Sequence, residues 1–305
     1  MESKERNGSG RENDFLLEQR LRAEAPELHR RVADCVTVLK QALKSYAARF
    51  PFFTDHSVLH SMDVLEFCNR ILGDQAEKLS PRECYVLIMS CYLHDIGMGI
   101  SEKDYLTFRD QLGWSGWLAE HPEKDEAWFV RDYHHEFSGL MIRKYAAVFE
   151  IPDEDLVFAI VQVSRGHRKT DLFDAAAYPD LQAPDGVIRT AFLAAVLRLA
   201  DDIDIGVDRN PELLFDPSGL TEQRDIDIFG VHESIRTVEV RDDRIILHVA
   251  PKEPRLIPQI EDTTEKIRQT LEYCRAAAAA RSDLRIRQEK VMLETLPRFL
   301  PPSGC

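Results

Sequence analysis

Basic charge is scarce in this chain: 39 Lys and Arg stand against 53 Asp and Glu, for a net charge of −14. Binding along a phosphate backbone relies on extended Lys and Arg coverage, so tight duplex nucleic-acid binding is not expected. Long apolar runs are missing too. None approaches the roughly 20 residues of a membrane helix, and the opening MESKERNGSGREND is too polar for a signal peptide. The expectation is a cytoplasmic protein without a membrane. Cysteine is sparse and unpaired: Cys35, Cys68, Cys84, Cys91, Cys274 and Cys305 include no CxxC, and several sit in apolar helical patterns. That argues against thiolate zinc sites and disulfides and for reduced core cysteines. Neither an internal repeat nor a heptad array is present, which removes solenoids and coiled coils.

What is there fits a soluble globular protein, with 44% hydrophobic and 30% charged residues. A length of 305 residues suits one catalytic domain over 15–206, a disordered tail over 1–14 and a carboxyl-terminal extension over 207–305. Val32, Val36, Leu39, Leu43 and Tyr46 recur at helical spacing in a segment from Phe15 to Phe50 that Pro26 interrupts. Further helices are predicted near 57–72, 80–95, 134–149, 153–166 and 187–204, two of them opened by Ser80-Pro81 and Pro152-Asp153. Residues 170–186, rich in Asp, Pro, Gly and Ala, read as a surface excursion, either a lid or a loop. SIRTVEV and RIILHV around an Arg-Asp-Asp turn predict a β-hairpin, and 257–296 predict a pair of helices.

Three segments carry chemistry. In CYLHDIGMG, His94 and Asp95 end an apolar helix and precede Gly97 and Gly99; an adjacent imidazole and carboxylate there can share a metal ion or simply cap the helix. In TDHSVLHSMDV, His56 and His60 lie four apart, so both imidazoles fall on one side of a helix. In LRLADDIDI, carboxylates leave an otherwise apolar helix, where an ionised Asp is costly unless a cation or partner compensates it, or where the helix end faces solvent.

This ordered set resembles the HD-domain metal-dependent phosphohydrolase superfamily, whose pattern is a histidine, a His-Asp pair and a distant aspartate. The resemblance covers about residues 50–205 and implies an HD-domain helical bundle, so that with the hairpin read above the expected fold is an all-α HD-domain helical bundle with a small C-terminal β-hairpin and flanking helices. It implies His60, His94, Asp95 and Asp201 as metal ligands, with Asp202 as the alternative to Asp201. His60 is preferred to His56 because family ligand helices carry an aliphatic residue four positions on, here Val64. His56 then matches the histidine that protonates the leaving group in cyclic-nucleotide phosphodiesterases, which makes His56 and Asp95 the catalytic candidates. His135, followed four later by Gly139, and His167 in VSRGHRKTD stand where two-metal members place second-ion ligands, with His134 in reserve.

Arg165, Arg168 and Lys169 surround His167 and suit a phosphate clamp or a solvated basic loop. Arg198, one turn before Asp201, is expected to orient that aspartate, and Arg209 to face the pocket. Trp114, Trp117 and Trp128 are expected to pack in the core rather than stack on a base. Asp202 and Asp204 are otherwise expected to cap, pair with arginines or hold water.

The resemblance implies one or two divalent transition ions, and mixed nitrogen and oxygen ligation suits Mn, Fe, Ni, Co or Zn. Such ions lower the pKa of bound water from about 15.7 towards roughly 7, and a second lies about 3.5 to 4 Å from the first. The expected reaction is hydrolysis of a phosphate ester or phosphoanhydride in a phosphorylated small molecule, nucleotide, cyclic nucleotide or oligonucleotide. The alternatives are a ligand-sensing HD module without turnover and a diiron oxygenase. The hairpin, FTDHS and LRLADDIDI are also similar to bacterial HD proteins found with chaperone-like ATPases in defence contexts. A homo-oligomer or a protein partner is left open.

Overall fold

The computed structural model describes residues 15–42, 58–168, 170–206 and 223–296. His56, Lys169, Arg209, Cys305 and the tail over 1–14 lie outside the described residues.

Proline and capping side chains set the helix boundaries. Pro26 divides the first helical stretch into α1 (Leu16–Glu24) and α2 (Pro26–Ala42), because its ring suits a first helical turn and not an interior. After α3 (Val58–Leu72), a 3-10 turn leads to α4 (Pro81–Leu93). Ser80 opens α4 with a capping box: its hydroxyl accepts from the Glu83 amide, and the Glu83 carboxylate accepts from the Ser80 amide. α4 is buried almost all round, from Glu83 to Leu93, which makes it the central helix. A 3-10 turn over Ile96–Gly99 then carries the chain to α5 (Glu102–Phe108) and α6 (Trp114–Glu120).

α7 runs Glu126–Lys144 rather than from near 134, because Asp125 caps it by accepting from the amides of Ala127 and Trp128. α8 (Glu154–Arg165) is capped by Asp153, and α9 (Thr190–Ile203) buries nearly every residue among α3, α4, α8 and the C-terminal helix. The excursion before α9 is partly ordered as a small hairpin, β1 (Asp180–Ala183) and β2 (Gly186–Arg189), with Gly186 at φ 138°. Trp114 and Trp117 stack at 5.8 Å and pack on Phe129 at 5.1 and 5.2 Å, while Lys124 and Arg131 lie over Trp128.

Beyond residue 222, α10 (Gln223–Ser234) precedes the predicted hairpin, β3 (Ile235–Val240) antiparallel to β4 (Arg244–Val249). The predicted helix pair over 257–296 is corrected to one helix, α11 (Ile257–Arg281), and a strand, β5 (Lys290–Thr295), parallel to β4. The period of the sequence explains the difference. In LRIRQ, Leu284, Ile286 and Gln288 are buried while the arginines between them face out, an alternation of two that belongs to extended chain. Among the described residues no single helix is long and apolar enough to cross a membrane.

Candidate metal centre

Five segments far apart in sequence converge on one buried cluster. α3 contributes His60, the end of α4 His94 and Asp95, α7 His134, the end of α8 His167, and α9 Asp201. They fall into two groups, His60, His94 and Asp201, and Asp95, His134 and His167, with the ligand atoms in each group within 4.8 Å of one another.

The Asp95 carboxylate faces both groups. Its Oδ2 lies 3.5 Å from His60 Nε2 and 3.3 Å from His94 Nε2; its Oδ1 lies 3.3 Å from His134 Nε2 and 3.5 Å from His167 Nε2. Asp201 Oδ1 completes the first group, 3.3 Å from His60 Nε2 and 3.6 Å from His94 Nε2.

The outward nitrogens fix the tautomers. Nδ1 of His94 donates to the Cys91 carbonyl at 2.9 Å, that of His134 to the Arg131 carbonyl at 2.6 Å, and that of His167 to the Ser164 carbonyl at 2.5 Å. His60 Nδ1 donates to the Asp204 carboxylate at 2.6 Å. A carbonyl only accepts, so each of those Nδ1 atoms carries the hydrogen and each neutral ring turns an Nε2 lone pair inward. Those lone pairs meet: the Nε2 atoms of His60 and His94 are 3.2 Å apart, and those of His134 and His167 are 2.8 Å apart. Facing lone pairs repel unless a proton or a cation lies between them. The donor set, imidazole nitrogens and carboxylate oxygens with each outward N–H anchored, therefore fits a metal ion.

The electrostatics show the same need for positive charge. Burial pushes His94 down, but the adjacent carboxylates of Asp95 and Asp201 outweigh it and hold its pKa well above the ordinary value. Burial would raise Asp201, yet hydrogen bonds from His60 and His94 keep it well below the usual carboxylate range. His167 is driven well below its ordinary value, first by burial and then by the charge of His94.

Two glycines allow the elements to come this close. A Cβ on Gly97 would lie 2.3 Å from the His134 carbonyl oxygen and 2.7 Å from the Ser138 amide nitrogen. Gly97 also donates its amide to Ser138 Oγ at 2.9 Å, which locks the turn after Asp95 onto α7. A Cβ on Gly166 would lie 2.5 Å from that of Ala194, so α8 closes on α9 next to His167.

Several expected residues stand elsewhere. His135 belongs to neither group; its Nδ1 is buried without a hydrogen-bond partner, its Nε2 lies 3.6 Å from Glu136, and burial pushes its pKa down to about 3. The position at Asp95 is taken by His134, because one residue along a helix rotates a side chain by about 100°. The signal lay in Ser138, four residues after His134, on the face that meets Gly97. Arg165, expected in a phosphate clamp, is engaged by a bidentate ion pair with Glu136 at 2.9 and 2.6 Å and donates to Gln162 at 2.8 Å. Half-buried Arg168 makes no side-chain hydrogen bond or ion pair with the described residues. Arg198 does not reach Asp201; it donates to the Gly166 and Thr170 carbonyls. Asp202 turns to α11, accepting from Thr270 at 2.5 Å, and burial raises its pKa to about 6. Asp204 does more than cap, since it anchors His60.

A family model described as HD-CE matches residues 50–283, from ahead of α3 to just past α11. No curated protein and no solved structure matches the chain.

Proposed function

The chain belongs to the HD-CE family, an HD-type domain, and from that premise we propose that it is a metal-dependent phosphohydrolase or phosphodiesterase with two ions. The observation that carries this reading is the position of Asp95, which offers one carboxylate oxygen to each histidine pair. His60, His94 and Asp201, and Asp95, His134 and His167, would hold divalent ions, whose chemistry when bound is to polarise a phosphoryl oxygen and lower the pKa of water at the site.

The residues of the chain have separate tasks. Asp95 holds the two groups in register, and Asp201 closes the first. The Asp204 carboxylate and the backbone carbonyls of Cys91, Arg131 and Ser164 orient the imidazoles, a supporting role that metal sites depend on. Arg168, next to His167 and without a side-chain hydrogen bond or ion pair among the described residues, takes the phosphate oxygens. The Arg165–Glu136 ion pair stiffens the end of α8 beside it. The substrate class is a nucleotide, cyclic nucleotide or oligonucleotide, bound without a broad basic surface.

The test combines elemental analysis with a phosphate-release screen over nucleoside mono-, di- and triphosphates and cyclic nucleotides under manganese. The wild type is expected to carry about two ions per chain and to hydrolyse at least one of these compounds. Asp95→Ala removes both properties while the helical circular dichroism persists. Arg168→Ala raises KM and leaves metal content intact. Full activity in Asp95→Ala refutes the reading, as does turnover that requires dioxygen.

A further inference from the structure

The segment between α8 and β1 carries His167 and Arg168 and reads in sequence as a lid or a loop. The structure straps it down from two sides. From α9, the buried Arg198 donates through Nε to the Gly166 carbonyl at 2.6 Å and through Nη2 to the Thr170 carbonyl at 2.7 Å, gripping the chain on both sides of His167. From α11, the Tyr273 hydroxyl accepts from the Leu172 amide at 2.8 Å and lies 3.4 Å from the Thr170 carbonyl oxygen. The Tyr273 ring lies against the Arg198 guanidinium, 4.9 Å from Cζ to the ring centroid. Arg281, also on α11, donates to the Phe173 and Tyr178 carbonyls.

We propose that Arg198 and Tyr273 form a positioning pair for the second ion, so that the C-terminal helix completes the metal centre. Neither residue belongs to a ligand group. Tyr273 lies against the guanidinium, the guanidinium holds the Gly166 and Thr170 carbonyls, and the Gly166 carbonyl directly precedes His167 and Arg168. Metal–ligand distances in a well-formed site stay within about 0.2 Å of their usual values, so slack in this strap loosens the second group. The first group stands on α3, the end of α4 and α9; Arg198 shares α9 with Asp201, but its hydrogen bonds go only to the segment that carries His167. The effect is therefore selective, unlike that of a general packing defect.

This inference rests on the two-ion reading above, and the experiment separates the two. The full-length protein is stripped with chelator and titrated with manganese, with binding followed by calorimetry and by electron paramagnetic resonance; apo stability is followed by circular dichroism. Wild type is expected to bind two ions and to give the signal of an exchange-coupled pair. Tyr273→Leu and Arg198→Met are expected to weaken the second ion by about 10- to 100-fold, the range for residues that orient ligands, and to show an isolated ion, with the first affinity unchanged. Tyr273→Phe, which keeps the ring under the guanidinium, recovers most of the loss. If Arg198→Met does not fold, the half-buried Tyr273 variants decide the matter. Wild-type affinity for the second ion in both Tyr273 variants overturns the proposal, and so does a parallel loss of both ions. A wild type that takes one ion or none overturns the two-ion reading itself and the positioning pair with it.

Discussion

Replacing Gly97 by alanine tests whether the approach of two backbones sets the second group. The added Cβ would lie 2.3 Å from the His134 carbonyl oxygen, 2.7 Å from the Ser138 nitrogen and 2.9 Å from the Phe137 Cβ. Two of those atoms are backbone and cannot swing aside. Restoring ordinary contact distances requires the turn after Asp95 and α7 to part by about 1 Å, well beyond the spread of about 0.2 Å in metal–ligand distances of well-formed sites. The same movement stretches the Gly97–Ser138 hydrogen bond, a loss of about 1 kcal/mol, on top of about 1–3 kcal/mol for overpacking. His60, His94 and Asp201 do not stand on α7. Gly97→Ala is therefore expected to fold, melt below wild type even with chelator present, and carry about half the wild-type metal by elemental analysis. A variant with the wild-type melting temperature and full metal content refutes the reasoning, because it would mean that the contact yields without moving His134.

Other predictions concern the surroundings of the ions. Asp204→Ala removes the acceptor of the His60 Nδ1 hydrogen and should weaken metal binding by about 10- to 100-fold; unchanged affinity in a manganese titration would deny Asp204 its orienting role. The carboxylates hold His94 above its ordinary 6.5, so the stability it lends the ion-free protein is complete below that value and lost as pH rises through the raised pKa. An incoming ion must displace the same proton, so metal affinity should strengthen with rising pH, and calorimetry in buffers of different ionisation enthalpy should record proton release; pH-independent binding contradicts this. Cys35, Cys84 and Cys274 are buried with pKa values pushed up to about 12 by burial, so a thiol reagent at pH 8 should label them only after denaturation. Labelling of any of these three in the native protein would contradict the buried positions.

Local rules made much of the fold legible. The break at Pro26, the capped start of α4 at Ser80 and the hairpin around Arg-Asp-Asp follow from neighbouring residues and their backbone preferences. The extended chain ahead of β5 was legible too, in the alternation of Leu284, Ile286 and Gln288 with charged residues, although the alanine-rich stretch before it favours helix.

The sequence by itself determined which residue types are available to the centre and in what order along the chain: a histidine, a His-Asp pair, a pair of adjacent histidines, a histidine in a basic segment and an aspartate leaving an apolar helix. It also determined that such groups need compensation if the helix end is buried, since an ionised carboxylate away from water is costly. Only the tertiary structure decided which histidine of the pair faces Asp95, because the rotation of α7 is set by its contact with Gly97, a residue 37 positions before His134 in the chain. It decided likewise that Arg165 belongs to Glu136 and that Arg198 belongs to the loop rather than to Asp201. A guanidinium takes whichever oxygens the packed helices bring within about 3 Å, and those partners lie 29 and 32 residues away.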